Sequence, residues 1–258
     1  MSIAENPKRI KDIFEIEHKN SASVYAAQMY LMGMPITVVV DDYIPLDIYD
    51  WSQSLYAKIS KDGALWGTLY EKFFAKFFGN YEIIDAGGTA HGIEVSTGSP
   101  YNNWSHDKLD SDQIEDLWQQ ILDSETNGMM ISSGSYQGNG SDQENNEVGL
   151  PYNHAFSVMK GLIATTASGE EHRLVQMRNP WGYEFFNGTW SDSSDIWTDE
   201  LRLQLDHQDK DDGKFFMEYS DFIKYIDYTD LSMDVHDWNH AGFLFENDDE
   251  PVNRRAVF

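Results

Sequence analysis

A histidine and an asparagine 25 residues apart carry the clearest chemical signal in this sequence. His154 begins and Asn179 ends two segments with strand-like composition, residues 154–163 and 171–179, and a turn-forming stretch separates the two segments. An antiparallel hairpin centred on that stretch predicts that the two residues lie opposite each other, roughly 5 Å apart at Cβ. At that distance the Asn oxygen can accept one imidazole N–H and fix the ring, which leaves the other nitrogen free to take a proton.

This pair is the base-and-orienter half of a Cys-His-Asn site. Taken alone, His154 would be read as a structural histidine and Asn179-Pro180 as a turn. The matched register, together with Trp181 two residues after the asparagine, favours the chemical interpretation, because an indole there would shield the hydrogen bond from water. The nucleophile half is missing, since the chain contains no cysteine.

Charge and composition exclude several classes of protein. The 258 residues are 41% hydrophobic and 14% aromatic, which is typical of a globular chain. With 44 acidic and 18 basic residues the formal charge is −26, which argues against nucleic acid and anionic membranes as partners. More than half of this net charge lies in residues 191–250, which predicts either a solvated acidic face or a divalent-cation site.

The missing cysteines also exclude disulfides and thiolate metal sites. The first residues have no apolar signal-peptide core, and no stretch approaches the 18 apolar residues of a membrane span. We therefore expect a cytoplasmic protein with no membrane span.

Helices and strands can be placed around the pair. Residues 24–32 and 36–40 are predicted strands, and apolar residues at helical spacing predict a helix over 66–78 that ends at Gly79. A second helix is predicted to start with a capping box at Asp110 and Gln113, followed by a strand over 129–132. Residues 133–148 predict an exposed, mobile loop that leads into the His154 strand. A change in composition near residue 102 predicts a subdomain boundary.

At this point the sequence resembles the calpain family of cysteine proteases over about residues 6–239. The matching segments occur in collinear order: 38–45 (VVVDDYIP), 69–76 (LYEKFFAK), 79–82 (GNYE), 87–89 (GGT), 153–158 (NHAFSV), 178–182 (RNPWG), 188–192 (GTWSD) and 212–217 (DGKFFM). The resemblance implies an α+β, papain-like protease core. A partial, helical first subdomain is then followed by a second subdomain with an antiparallel, barrel-like sheet.

The resemblance divides the chain into three parts. Residues 1–102 are expected to be the remainder of the first subdomain, residues 103–239 the second subdomain with His154 and Asn179, and residues 240–258 the start of a following β-sandwich-type domain or a tail. Residues 3–10 match the region just after the helix that carries the family's cysteine. The family's Gly-x-Cys-Trp motif is therefore expected upstream of this chain.

Calcium is the one cofactor that the resemblance implies. Asp192 and Asp212 match acidic calcium ligands of the second subdomain, and Glu82 matches one of the first. Two further anionic positions are lost, because Phe185 and Lys214 occupy them. We expect a degraded calcium site, unless the neighbouring Glu184 or Glu218 takes a missing place.

Two functions remain open, with a third less favoured. The first is a calpain-like cysteine endopeptidase core, of which this chain holds the His154 and Asn179 half and, without a nucleophile, is itself inactive. The second is a non-catalytic, calpain-like scaffolding module in a larger assembly. The third is a transglutaminase- or papain-like enzyme outside the calpain family. The expected partners are protein substrates or assembly partners, and the chain is expected to belong to a longer protein or complex.

Overall fold

A computed structural model describes residues 2–16, 20–50, 54–59, 63–138 and 142–233, and the backbone of residues 242–245 and 254–257. The helices are α1 (Pro7–Ile13), α2 (Trp66–Phe78), α3 (Thr89–Thr97), α4 (Ser111–Leu122), α5 (Asp199–Leu205) and α6 (Tyr219–Tyr225), with a 3₁₀ turn at His106–Lys108. The strands are β1 (Phe14–Ile16), β2 (Val24–Leu31), β3 (Met34–Asp41), β4 (Tyr101–Ser105), β5 (Met130–Ser135), β6 (Ala155–Thr165), β7 (Glu171–Arg178), β8 (Lys214–Glu218), β9 (Ile226–Ser232), β10 (Gly242–Phe245) and β11 (Arg254–Val257). No helix in the described part is long and apolar enough to cross a membrane.

The chain forms two compact units. The three-stranded unit comprises residues 6–99 and 235–258, and the six-stranded unit comprises residues 1–5 and 100–234. The fold class is α+β with antiparallel sheets, as expected. In the six-stranded sheet, ordered β4-β9-β5-β6-β7-β8, the two outer strands do not pair with each other within the described residues, so this sheet is open and is not a closed barrel.

In the three-stranded unit, sheet β1-β2-β3 is covered by α2 and α3. The hairpin between β2 and β3 turns at Met32 and Gly33, both with positive φ, so β3 begins earlier than predicted and includes Pro35. Helix α2 has the predicted bounds, because its apolar face buries Leu69 and Phe73 and Gly79 ends it. The predicted three-part division of the chain stays a prediction.

The six-stranded sheet buries apolar residues on both faces. Helices α4 and α6 cover one face through residues that include Leu117, Trp118 and Phe222, and α5 covers the other with Trp190 and Trp197. Helix α4 starts at the predicted capping box, in which the Asp110 side chain accepts from the Gln113 amide and the Gln113 side chain accepts from the Asp110 amide.

The segment predicted as a loop over 133–148 is partly regular. Strand β5 continues through Ser135, three residues further than predicted. Residues 144–152 then fold into a short turn that is closed by a bridge between Asn145 and Pro151 and holds Leu150 in the core. This turn places the following residue, Asn153, at the start of the His154 segment.

The β6–β7 register differs from the predicted one. Thr165 pairs with Glu171 at the turn, but Ser157 pairs with Arg178 at the far end, so Met159 is an extra, bulged residue. One step further along, this register places Asn179 opposite Phe156 and not opposite His154. The prediction of direct opposition was wrong, because pairing His154 with Asn179 requires a hairpin centred between Thr166 and Ala167, whereas the Thr165–Glu171 pair centres it on Ser168.

Candidate active site

The backbone of His154 is held by strand β5. The Ser135 amide donates to the His154 carbonyl at 2.9 Å, and the His154 amide donates to Ser135 Oγ at 3.0 Å. Asn153 before it has φ 50°, and its amide donates to the Tyr136 carbonyl at 3.1 Å. Asparagine tolerates this left-handed backbone better than most residues, so the sequence suits the sharp entry into β6.

The backbone of Asn179 is held by the loop before β8. Its amide donates to the Gly213 carbonyl at 2.7 Å, and the Asn179 side chain is almost fully buried. Gly213 has φ 83°, and a Cβ built there would lie 2.7 Å from the Asn179 carbonyl oxygen. Only glycine meets both requirements, the backbone angle and the close approach.

The two side chains meet across the end of the hairpin. His154 Nε2 and Asn179 Oδ1 are 2.9 Å apart, and both residues are buried. The Trp181 amide also donates to Asn179 Oδ1, at 3.1 Å, which identifies that atom as the oxygen. Because this acceptor carries no proton, Nε2 is the protonated nitrogen of the neutral ring and Nδ1 holds the free lone pair.

The bulge at Met159 explains why the two side chains share a face. Phe156 and Val158 belong to the core under α4, and so does the site of Gly161, whose Cβ would meet Ile121 and Leu122. The spacing from 158 to 161 is odd, so the bulge has switched the face of the strand. Beyond the bulge, His154 and Asn179 are diagonal neighbours on the α4 face, within reach of long side chains.

Aromatic rings surround the imidazole. The Trp181 ring centroid lies 4.1 Å from that of His154, and Phe156 packs edge-on at 5.0 Å. Tyr183 and Phe185 extend the group beyond Trp181. Trp181 is therefore beside the His154–Asn179 hydrogen bond, where an indole keeps water away from it.

Burial lowers the pKa of His154 below its ordinary value of 6.5, and the hydrogen bond to Asn179 and the charge of Asp142 oppose this effect. A lowered pKa keeps the ring neutral at pH 7 and ready to accept a proton at Nδ1. Within the described residues no hydroxyl is hydrogen-bonded to that nitrogen, and the chain has no thiol. The arrangement can accept a proton but contains no partner that would supply one.

The acidic residues near β8 do not fit calcium. The Asp192 amide donates to Glu184 Oε1 at 3.3 Å, whereas Glu184 Oε2 and Asp192 Oδ1 are buried and accept no hydrogen bond within the described residues. Burial, reinforced by neighbouring carboxylates, raises the pKa of Glu184 to about 8 and that of Asp192 to about 6. In the described part of the chain no three His, Asp or Glu residues are placed to share an ion, and calcium takes six to eight oxygens.

The other residues considered as calcium ligands form other contacts or lie in the other unit. Asp212 Oδ1 accepts the Lys214 amide at 3.0 Å, and Phe185 supplies a ring in place of an oxygen. Glu218 accepts the Trp190 indole N–H at 2.7 Å and lies 3.3 Å from His172. Glu82 is exposed and belongs to the other unit. Glu184 and Asp192 are therefore the two acidic residues of this group that are hydrogen-bonded to each other in the described part of the chain.

Sequence reasoning missed several residues that hold the backbone around His154 and Asn179 in place. Ser135, Gly213 and residues 2–5 gave no local signal, although Gly213 lies in a matching family segment. Ser2 Oγ donates to the Ile131 carbonyl at 2.8 Å, and Glu5 forms an ion pair with Arg178 at 3.2 Å. These contacts join segments more than 100 residues apart, which composition and periodicity do not report.

Comparison with known proteins is consistent with this geometry. The family described as "Calpain family cysteine protease" matches residues 1–233. The calpain-type cysteine protease DEK1 of Arabidopsis thaliana is 31% identical over 229 residues, 86% of this chain, and the calpain-1 catalytic subunit of Homo sapiens is 30% identical over 211 residues, 79% of it. Calpain-8 of Mus musculus is 28% identical over 234 residues. The match spans 10% of the length of DEK1, 28% of calpain-1 and 32% of calpain-8.

Proposed function

This chain belongs to the calpain family of cysteine proteases, and we propose that it supplies the general-base half of a peptidase site. In this proposal His154 is the base, Asn179 orients it and Trp181 shields their hydrogen bond. The observation that supports it is the 2.9 Å contact between His154 Nε2 and Asn179 Oδ1. That contact leaves Nδ1 as the only ring nitrogen able to accept a proton.

The nucleophile in this proposal is a cysteine outside these 258 residues. The thiolate supplies the attack on a peptide carbonyl. The neutral imidazole takes the thiol proton at Nδ1, and Asn179 Oδ1 keeps the ring from rotating and stabilises the imidazolium that forms. The residues of this chain thus bind, orient and hold a proton, but they do not form the acyl intermediate.

A non-catalytic, scaffolding function is the second candidate. One specific observation favours it: the chain has no cysteine, so it cannot by itself hydrolyse a peptide by this mechanism. On this alternative the protein binds extended segments of partner proteins without cutting them.

An N-terminal extension separates the two candidates. The chain alone is compared with three fusions: one carries the family's Gly-x-Cys-Trp segment ahead of Met1, one carries the same segment with serine for cysteine, and one carries the cysteine segment with His154→Ala. Each is incubated with an unfolded protein substrate, and cleavage is followed by mass spectrometry.

The peptidase proposal expects cleavage only by the first fusion. Removing the base should reduce turnover by roughly 100-fold or more. A first fusion that folds and binds the substrate without cutting it supports the scaffolding function instead. Cleavage by the chain alone that is lost in His154→Ala would require a different nucleophile and would contradict both candidates.

A further inference from the structure

Phe185 occupies the position at which the family resemblance places an anionic calcium ligand, and its ring packs towards the His154 site. The centroid of the Phe185 ring lies 5.0 Å from that of Tyr183 and 6.4 Å from that of Trp181, and both pairs are edge-to-face. The ring centroids of Trp181 and Tyr183 are 5.9 Å apart. The three rings therefore contact one another, and Trp181 in turn contacts His154 at 4.1 Å. Edge-to-face pairs at these distances are favourable arrangements.

The backbone fixes the direction of the Phe185 ring. Phe186 points inwards, is buried, and stacks on Phe215 at 5.2 Å. The Asn187 amide donates to the Val148 carbonyl at 3.0 Å, and a Cβ on Gly149 would lie 1.9 Å from the Phe185 carbonyl. The segment is thus pinned to the chain that leads into His154, and the inward Phe186 leaves Phe185 on the side of Trp181.

We propose that Phe185 and Tyr183 brace Trp181 against His154, so that packing of aromatic rings positions the His154–Asn179 pair without calcium. This inference rests on the proposed function, because it assigns positioning residues to the same site.

The test uses NMR of the 258-residue chain, with assigned histidine ring signals. Trp181→Ala defines the position of the His154 signals without the indole, and the unaltered chain defines the braced position. Phe185→Ser should move the His154 signals most of the way towards those of Trp181→Ala and raise the His154 pKa, because water reaches the ring. Phe185→Tyr, which keeps the aromatic ring, should retain the original signals and pKa.

Calcium provides the second arm and needs no variant. Millimolar calcium should leave the His154 signals of the unaltered chain in place. The ring signals of His106 and His172 serve as controls for folding, because both residues lie in the same unit on other contacts. Phe185 is 43% exposed, so its replacement removes little of the core.

Three results would overturn the proposal. The His154 signals stay unchanged in Phe185→Ser, they move equally in Phe185→Ser and Phe185→Tyr, or they move with calcium in the unaltered chain. If a variant loses the His106 and His172 signals, the calcium titration still decides. A brace confirmed in this way, together with a cysteine fusion that does not cut, would leave the positioning inference standing and refute the peptidase proposal.

Discussion

At the scale of single residues, the site depends on the orientation of the Asn179 side-chain amide. Asn179 Oδ1 receives two N–H groups, from His154 and from Trp181, so its orientation is fixed from both sides. The two donors come from different segments, since His154 precedes β6 and Trp181 follows β7. A substitution at residue 179 therefore changes the imidazole directly and not merely the packing around it.

The acceptor at residue 179 should set the pKa of His154. The hydrogen bond that His154 donates to Asn179 Oδ1 raises that pKa against the lowering effect of burial. Asn179→Ala should therefore lower it further, and Asn179→Asp should raise it, because a carboxylate favours the imidazolium. NMR titration of the His154 ring measures both. Equal pKa values in the three proteins would show that residue 179 does not act on the ring.

Replacing Gly213 should cost more than its backbone angle alone. A left-handed alanine costs roughly 1–2 kcal/mol, and the Cβ of Gly213→Ala would also press on the Asn179 carbonyl at 2.7 Å. We expect a total loss of about 2–4 kcal/mol in the free energy of unfolding. Gly169→Ala is the matched control, since Gly169 has the same φ of 83° and no heavy atom within 4 Å of the added Cβ. Urea unfolding measures the loss of stability in both variants. Equal losses would mean that the loop before β8 shifts to accommodate the added Cβ without any further loss in the free energy of unfolding.

At the scale of elements, the sequence predicted what local chemistry determines. The capping box at Asp110 and the apolar face of α2 are readable because the residues that act lie within a few positions of one another. The register of the β6–β7 hairpin was not predictable, because the composition of the turn does not fix its centre and the bulge at Met159 has no glycine or other local mark. The site contact was anticipated from a register that the structure corrects.

The pair of carboxyl groups at Glu184 and Asp192 should make stability fall as pH rises. The folded-state pKa of Glu184, about 8, lies above its ordinary 4.5, and that of Asp192, about 6, lies above 3.8. Protonated forms are therefore favoured by folding: their contribution is complete at low pH and is lost as pH rises through about 8. We expect the melting temperature to decline between pH 5 and 8.5 less steeply in Glu184→Gln than in the original chain.

Glu82→Gln is the control for that measurement, since it removes the same charge from an exposed position in the other unit. Its melting profile should run parallel to that of the original chain. Parallel profiles for Glu184→Gln as well would show that Glu184 is ionised without cost in the folded protein.

At the scale of the whole molecule, the chain passes from one unit to the other after residue 5 and again after residue 99. Residues 1–5 belong to the six-stranded unit, residues 6–99 form most of the other, and the chain then returns at residue 100. Ser2, Ile3 and Glu5 thereby attach to a sheet whose strands are all drawn from residues 101–232. Such long-range attachment explains why these residues carried no signal in the sequence.

The attachment should be held mainly by apolar burial. Ile3 is 7% exposed, so Ile3→Ala should cost about 2–4 kcal/mol in the free energy of unfolding of the six-stranded unit. Ser2→Ala loses two buried hydrogen bonds, to the Ile131 carbonyl and to Ser157 Oγ, together worth roughly 1–3 kcal/mol. Glu5→Gln weakens a partly exposed ion pair worth about 0–1 kcal/mol. Urea unfolding followed by tryptophan fluorescence should rank the losses in that order. A loss in Glu5→Gln as large as that in Ile3→Ala would show that charge, and not burial, ties residues 2–5 to the strands that carry His154 and lead to Asn179.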